Sequence, residues 1–235
     1  VTLAPIATIK RKDGTLAHEP LPDELGLQRI TPVLRLPERY QRASWEKITP
    51  ELADDVRDYC RNIVVNLRDG HGIALVGGVG VGKTHALALI MDAAAQVQWR
   101  MEYSWPDWEH VDEEGNPRMI WDTRPATIEW TLGPKLYSVL HRPDAPGHRE
   151  KIERYETCDL LVVDDFDRLY VTDWNAMQLE ALMEVRHSEQ RAVALSLNST
   201  EVLQSDKFER TLDRLKENST VVRLGNSVKS RRGAE

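Results

Sequence analysis

Eight consecutive residues, Gly77-Gly78-Val79-Gly80-Val81-Gly82-Lys83-Thr84, have the types and spacing that hold a phosphate chain, G-x-x-x-x-G-K-[ST]. Glycine at positions 77, 78, 80 and 82 allows positive φ and lets backbone N–H groups approach phosphate oxygens that side chains would keep away. Lys83 supplies a point charge for the β- and γ-phosphates. Thr84 supplies a hydroxyl for Mg²⁺ at the start of a helix whose N-terminus favours anions. With His85, residues 77–85 are the candidate segment for ATP or ADP. A chance match in a glycine-rich turn is the alternative, and both flanks oppose it. Gly72-Ile73-Ala74-Leu75-Val76 is a short apolar run suited to a buried parallel strand, and 84–98 is rich in Ala and Leu without Gly or Pro.

A second constellation follows about eighty residues later. Leu160-Leu161-Val162-Val163-Asp164-Asp165 is an apolar run ending in two carboxylates, as expected of a central strand with acids at its C-terminal edge. Asp164 suits a place beside Mg²⁺, and Asp165 suits the orientation of an attacking water. The competing reading is a strand that ends in a solvated turn. At the end of Ala192–Leu197, Asn198 is placed to contact the γ-phosphate or that water, or else to cap the helix that follows.

These residues need a scaffold that brings strand ends together, and the pattern supplies one. Candidate strands at 72–76, 126–131, 159–164, 192–197 and 220–224 alternate with candidate helices at 51–69, 84–98, 132–141, 147–157, 174–189 and 207–217. The expectation is an α/β fold with a five-stranded, mostly parallel sheet between helices. Residues 1–44, with five prolines and little periodicity, are expected to be an extended arm or linker with a short apolar element near Leu25–Ile30. Because the chain begins at Val1, a region ahead of it is allowed for. Residues 45–235 are expected to form the ATPase domain. Within it, 99–124 carry Trp99, Trp105, Trp108 and Trp121 around Glu114-Gly115-Asn116-Pro117, which predicts an inserted β-hairpin. Its aromatics suit stacking on bases or packing of a small satellite core.

Length and composition set the limits. The 235 residues suffice for one large domain, and the net charge of −7 opposes a surface that is basic all over. The basic tail at 225–235 is read either as a nucleic-acid contact or as a solvated end. No apolar run approaches membrane-spanning length, and Cys60 and Cys158 stand in no metal or disulfide pattern, so a cytoplasmic protein without a membrane partner is expected.

Taken in order, the phosphate loop, the Asp-Asp strand end, Ser196-Leu197-Asn198 and Glu209-Arg210-Thr211-Leu212-Asp213-Arg214-Leu215 resemble the AAA+ ATPases of the bacterial helicase-loader group. That group comprises the DnaC and DnaI type loaders and the related IstB transposition ATPases. Leu36–Trp45, Asp173–Arg186 and Gly225–Arg231 agree with it, so the resemblance covers roughly 36–232. It implies an AAA+ P-loop NTPase without a full helical lid. It also implies ATP hydrolysis with Mg²⁺ at a site shared between subunits of a homo-oligomer. Arg214 is the implied arginine finger, with Arg210 second; the alternative for Arg214 is a surface pair with Asp213 or Glu217. The implied partners are a replicative DNA helicase and single-stranded DNA. The rival functions are an IstB-like regulator on duplex DNA and a P-loop ATPase that never touches DNA. The Trp-rich insertion has no counterpart in the family pattern.

Overall fold

The computed structural model describes residues 9–10, 16–17, 43–168, 172–199 and 209–224. The apolar element expected near Leu25–Ile30 and the basic tail at 225–235 lie outside the described residues. In the expected arm, β1 (Ile9–Lys10) and β2 (Leu16–Ala17) pair antiparallel.

The domain begins with a 3-10 turn at Trp45–Lys47, followed by α1 (Pro50–Arg61). Pro50 opens the helix, where its missing N–H is not needed. Leu52, Ala53, Val56, Tyr59 and Cys60 form its buried stripe. The periodicity predicts one helix to residue 69, but the chain breaks at Asn62 and resumes as α2 (Ile63–Arg68). Both the backbone N and side-chain Nδ2 of Asn62 donate to the Asp58 carbonyl, a local competition that disfavours helix interior.

Then come β3 (Gly72–Val76), α3 (Lys83–Ala95), β4 (Gln98–Val111), β5 (Pro117–Pro125), β6 (Ile128–Leu132), α4 (Gly133–His141), α5 (His148–Thr157), β7 (Leu160–Asp164), α6 (Asp173–Ser188), β8 (Ala192–Leu197), α7 (Glu209–Glu217) and β9 (Ser219–Arg223). Strands β6, β7, β8, β3 and β9 form one sheet in that order, with every pairing parallel. Alternation along β7 fills both faces. Leu160 and Val162 join a core with α1 and α3, while Leu161 and Val163 join a second core with α4, α5 and α6. The order places the ends of β3, β7 and β8 side by side, the crevice where ligands of open α/β sheets bind.

The expected hairpin is a separate two-stranded antiparallel sheet, β4 with β5. The Asp112 carboxylate accepts from the backbone of Glu114 and Asn116 and shapes its tip. At its base the Ala126 N–H donates to the Val97 carbonyl at 2.9 Å. Arg124 bridges to Asp159 at 2.7 and 3.0 Å, and Arg191 and Thr127 bond the same carboxylate. Burial alone would raise the Asp159 pKa. The hydrogen bonds from Arg124 and Thr127 outweigh it and hold the carboxyl below its ordinary range.

Asp92 on α3 is fully buried, and neither carboxylate oxygen has a hydrogen-bond partner among the described residues. Burial pushes its pKa from 3.8 to about 6, and its charge adds to burial in raising the nearby Cys60 thiol. A carboxyl whose folded pKa is raised contributes stability below its unfolded pKa and loses it as pH rises through the folded value. Two pKa units correspond to about 3 kcal/mol, withdrawn between about pH 4 and pH 6 and absent above. Asp92→Asn is therefore expected to melt roughly 5–10 °C above the parent at pH 8, with the gap shrinking toward pH 4. Thermal melts at the two pH values check this; an equal gap at both would refute it.

Candidate functional site

The phosphate loop leaves β3 between two fixed backbones. The Gly77 N–H donates to Leu197 O at 3.1 Å, and Leu224 N–H donates to Val76 O at 2.8 Å. Farther along, Thr49 N–H donates to Val81 O at 3.3 Å. Positive φ occurs at Gly80 (87°) and Gly82 (97°), whereas Gly77 and Gly78, expected to need it, do not adopt it. Gly77 is required for room instead, since a Cβ there would lie 2.9 Å from Leu224 Cβ; a Cβ at Gly78 would meet no described atom within 4 Å. At Gly82 both reasons apply, because a Cβ would sit 2.6 Å from the Lys47 carbonyl oxygen. Val81 is buried, and Val79 at the loop's apex is 54% exposed.

Lys83, the first residue of α3, is buried and folds its side chain back under the loop. Its Nζ donates to Gly77 O at 2.7 Å, Gly78 O at 2.8 Å and Asn198 Oδ1 at 3.1 Å. Thr84 Oγ1 donates to Asp164 Oδ1 at 3.2 Å. The two halves of the site, eighty residues apart, thus meet through these contacts. His85 follows, half-buried, in the first turn of α3. Asp164 is buried, which raises its pKa, while hydrogen bonds from Ser196 and Thr84 act in the other direction. The hydroxyl of Thr84 and the carboxylate of Asp164 are hard oxygen donors of the kind Mg²⁺ takes alongside phosphate oxygens.

Asp165 adopts φ of 52°, a left-handed conformation that Asp tolerates better than most residues. Its N–H donates to Ser196 Oγ at 2.9 Å, and its carboxylate pairs with Arg168 at 3.3 Å. Asn198 Nδ2 reaches Asp167 Oδ1 at 3.4 Å, and the Ser199 N–H donates to the other Asp167 oxygen at 3.1 Å. Ser196 and Asp167 therefore hold Asp164, Asp165 and Asn198 in place, a role that motif reading alone does not assign. The signal for Ser196 was a hydroxyl inside an otherwise apolar strand.

Arg214 is not brought to these residues. It stands four residues before Asn218, whose carbonyl accepts from Gly72 N–H at the start of β3, while Lys83 belongs to the loop after that strand's end. Its partner is Glu184 on α6 and not Asp213 or Glu217 of its own helix; Asp213 faces Lys216 at 3.7 Å. The side chain of Arg210 lies outside the described residues, as do those of Trp105 and Trp121. Trp99 is half-buried against the α3 core, while Trp108 is 69% exposed. The hairpin holds seven acids and three arginines, a charge balance that repels a phosphate backbone.

No protein-family model and no curated protein matches the sequence. Solved structures do match. The crystal structure of DnaI aligns with TM-score 0.58 at 15% identity, over 81% of this chain and 95% of that one. The DnaC helicase loader aligns with TM-score 0.57 at 17% identity, over 80% of this chain and all of that one. The fold is that of the AAA+ P-loop ATPases. AMPPCP-bound DnaA from Aquifex aeolicus aligns with TM-score 0.56 at 15% identity over 79% of this chain, which spans about half of that protein. At these identities the likeness is one of fold. Among the described residues no helix is long and apolar enough to cross a membrane.

Proposed function

We propose that this chain is a Mg²⁺-dependent ATPase that loads a replicative DNA helicase onto single-stranded DNA. The observation that supports the reading is the separation of two groups of residues at opposite ends of the central strands. Lys83, Thr84, Asp164 and Asn198 converge where β3, β7 and β8 end, and Arg214 stands near the start of β3. One copy then offers a phosphate cradle and a neighbour offers the guanidinium. Proteins of similar fold lend support: one is a helicase loader and one a DnaA initiator bound to AMPPCP and single-stranded DNA.

In this reading Lys83 exchanges the carbonyls of Gly77 and Gly78 for phosphate oxygens, and Asn198, bonded to Lys83, reports the γ-phosphate to the β7–β8 edge. Thr84 and Asp164 would hold Mg²⁺, which neutralises charge on the phosphates. Asp165 orients the attacking water, and Arg214 of the adjoining copy stabilises the charge that develops as the γ-phosphoryl group leaves.

Titration of fluorescent single- and double-stranded DNA with ATP present, at several salt concentrations, tests the nucleic-acid part. The expected result is a preference for single strands, with affinity falling by a log–log slope of about −0.7 per phosphate contact. Capture of the host's hexameric helicase, with and without residues 1–44, tests the partner; binding that needs those residues is expected. Preference for duplex DNA without helicase binding would replace this reading with the IstB-like one, and failure to bind either DNA would refute both.

A further inference from the structure

Two bulky apolar side chains stand in solvent toward the tip of the β4–β5 hairpin: Trp108 is 69% exposed and Val111 53%. The strand pairing accounts for the indole. Asp107 pairs with Arg118 and Val111 with Pro117, so residues 108–110 of β4 face no partner on β5. A bulge of this kind bends its strand and re-aims a side chain. Tryptophan is large, rigid and amphipathic, and it is among the side chains that most often anchor a protein interface.

Charge selects what such an anchor meets. Residues 106–117 hold five acids, Asp107, Glu109, Asp112, Glu113 and Glu114, and neither lysine nor arginine. The last four of these are exposed, as the two apolar groups are. Hydrogen bonds from Asn116 and Glu114 hold the Asp112 carboxyl below its ordinary range, so it stays charged. A surface of this sign repels the phosphates of nucleic acid and of anionic lipid, and it attracts a basic one. At the other end of the hairpin Arg124 is tied to Asp159, at the start of β7, whereas the phosphate site gathers at Asp164, where β7 ends. We propose that the hairpin tip, with Trp108 and Val111 as its apolar part and Glu109, Asp112, Glu113 and Glu114 as its acidic part, docks a protein partner whose surface is basic around an apolar recess. The chain thereby gains a protein contact apart from its phosphate site.

Fluorescent helical peptides titrated with the full chain test this. One peptide carries Leu on one face and Lys on the other; its controls replace Lys by Glu, or Leu by Ser. The Leu/Lys peptide is expected to bind about tenfold or more tighter than either control, because both the apolar and the basic part are needed, and its affinity should fall with salt. Trp108→Ser, and Glu113→Lys combined with Glu114→Lys, should each weaken it about tenfold. Both changes fall on exposed positions, so the melting temperature should not move. Met177→Ser removes an equally exposed apolar group from α6 and should leave the affinity unchanged. Failure of the Leu/Lys peptide to bind, equal binding of a control peptide, or an affinity indifferent to Trp108→Ser would each overturn the proposal. So would an equal loss from Met177→Ser, which would show a general stickiness of the surface. Affinity for single-stranded DNA should be the same for the parent and Trp108→Ser; a drop would assign the indole to bases and overturn the protein contact, whatever becomes of the phosphate site.

Discussion

Lys83→Ala is expected to weaken ATP binding by about 10²–10³-fold. The ammonium is buried, with three acceptors from the loop and Asn198 already gathered around it. Charge-assisted hydrogen bonds of that kind contribute about 1.5–3 kcal/mol each, and more than one would be redirected to phosphate oxygens. The truncation also leaves the carbonyls of Gly77 and Gly78 pointing at a space where phosphates must sit, so the loop itself turns from attractive to repulsive. Lys83→Arg is not expected to restore affinity, because a planar fork cannot replace a compact donor enclosed by two adjacent carbonyls and an amide. Titration with a fluorescent ATP analogue reads both; near-parental affinity for Lys83→Ala would show that the loop does not hold the triphosphate.

Arg214→Ala should act on a different quantity. ATP affinity is expected to stay within about twofold, while turnover falls by about 10³-fold, the scale at which a guanidinium supplied in trans acts on phosphoryl transfer. The loss of the Glu184 pair is a poor rival explanation, since exposed ion pairs contribute roughly 0–1 kcal/mol and the melting temperature would move little. The parent's specific activity should rise with protein concentration as copies meet, and the Arg214→Ala activity should stay flat. A variant with parental turnover across that range would end the case for a shared site.

The parts of the molecule written in local periodicity were legible. The five strands and the phosphate loop fall within about two residues of their expected positions, because apolar runs bounded by glycine or acids leave few alternatives. What the periodicity could not show were pairings between distant residues. Nothing around Arg214 announces Glu184, thirty positions earlier, and nothing around Asp164 announces Ser196. An Ala- and Leu-rich segment also hid Asp92, because its helical pattern is satisfied whether or not that carboxylate finds a partner. The break at Asn62 was missed for the converse reason: the apolar spacing continues through it, and only the side chain's competition for the Asp58 carbonyl interrupts the helix. At the loop, glycine's two uses, positive φ and small size, have one spelling. Only the backbone angles and the approach of Leu224 tell them apart.

The hydrogen bond from Ala126 to Val97 has a bearing on how such a chain is built. It joins the residues on either side of the 28-residue excursion 98–125, so the α/β core closes on itself as though the excursion were not there. Loop-closure entropy grows only with the logarithm of length, and here the ends are already held together by the core. The hairpin is therefore a graft on a tolerant port. Beyond its base, where Trp99 and Arg124 meet the core, its length and sequence are free to diverge, while the strand ends that hold Lys83, Asp164 and Asn198 keep their register.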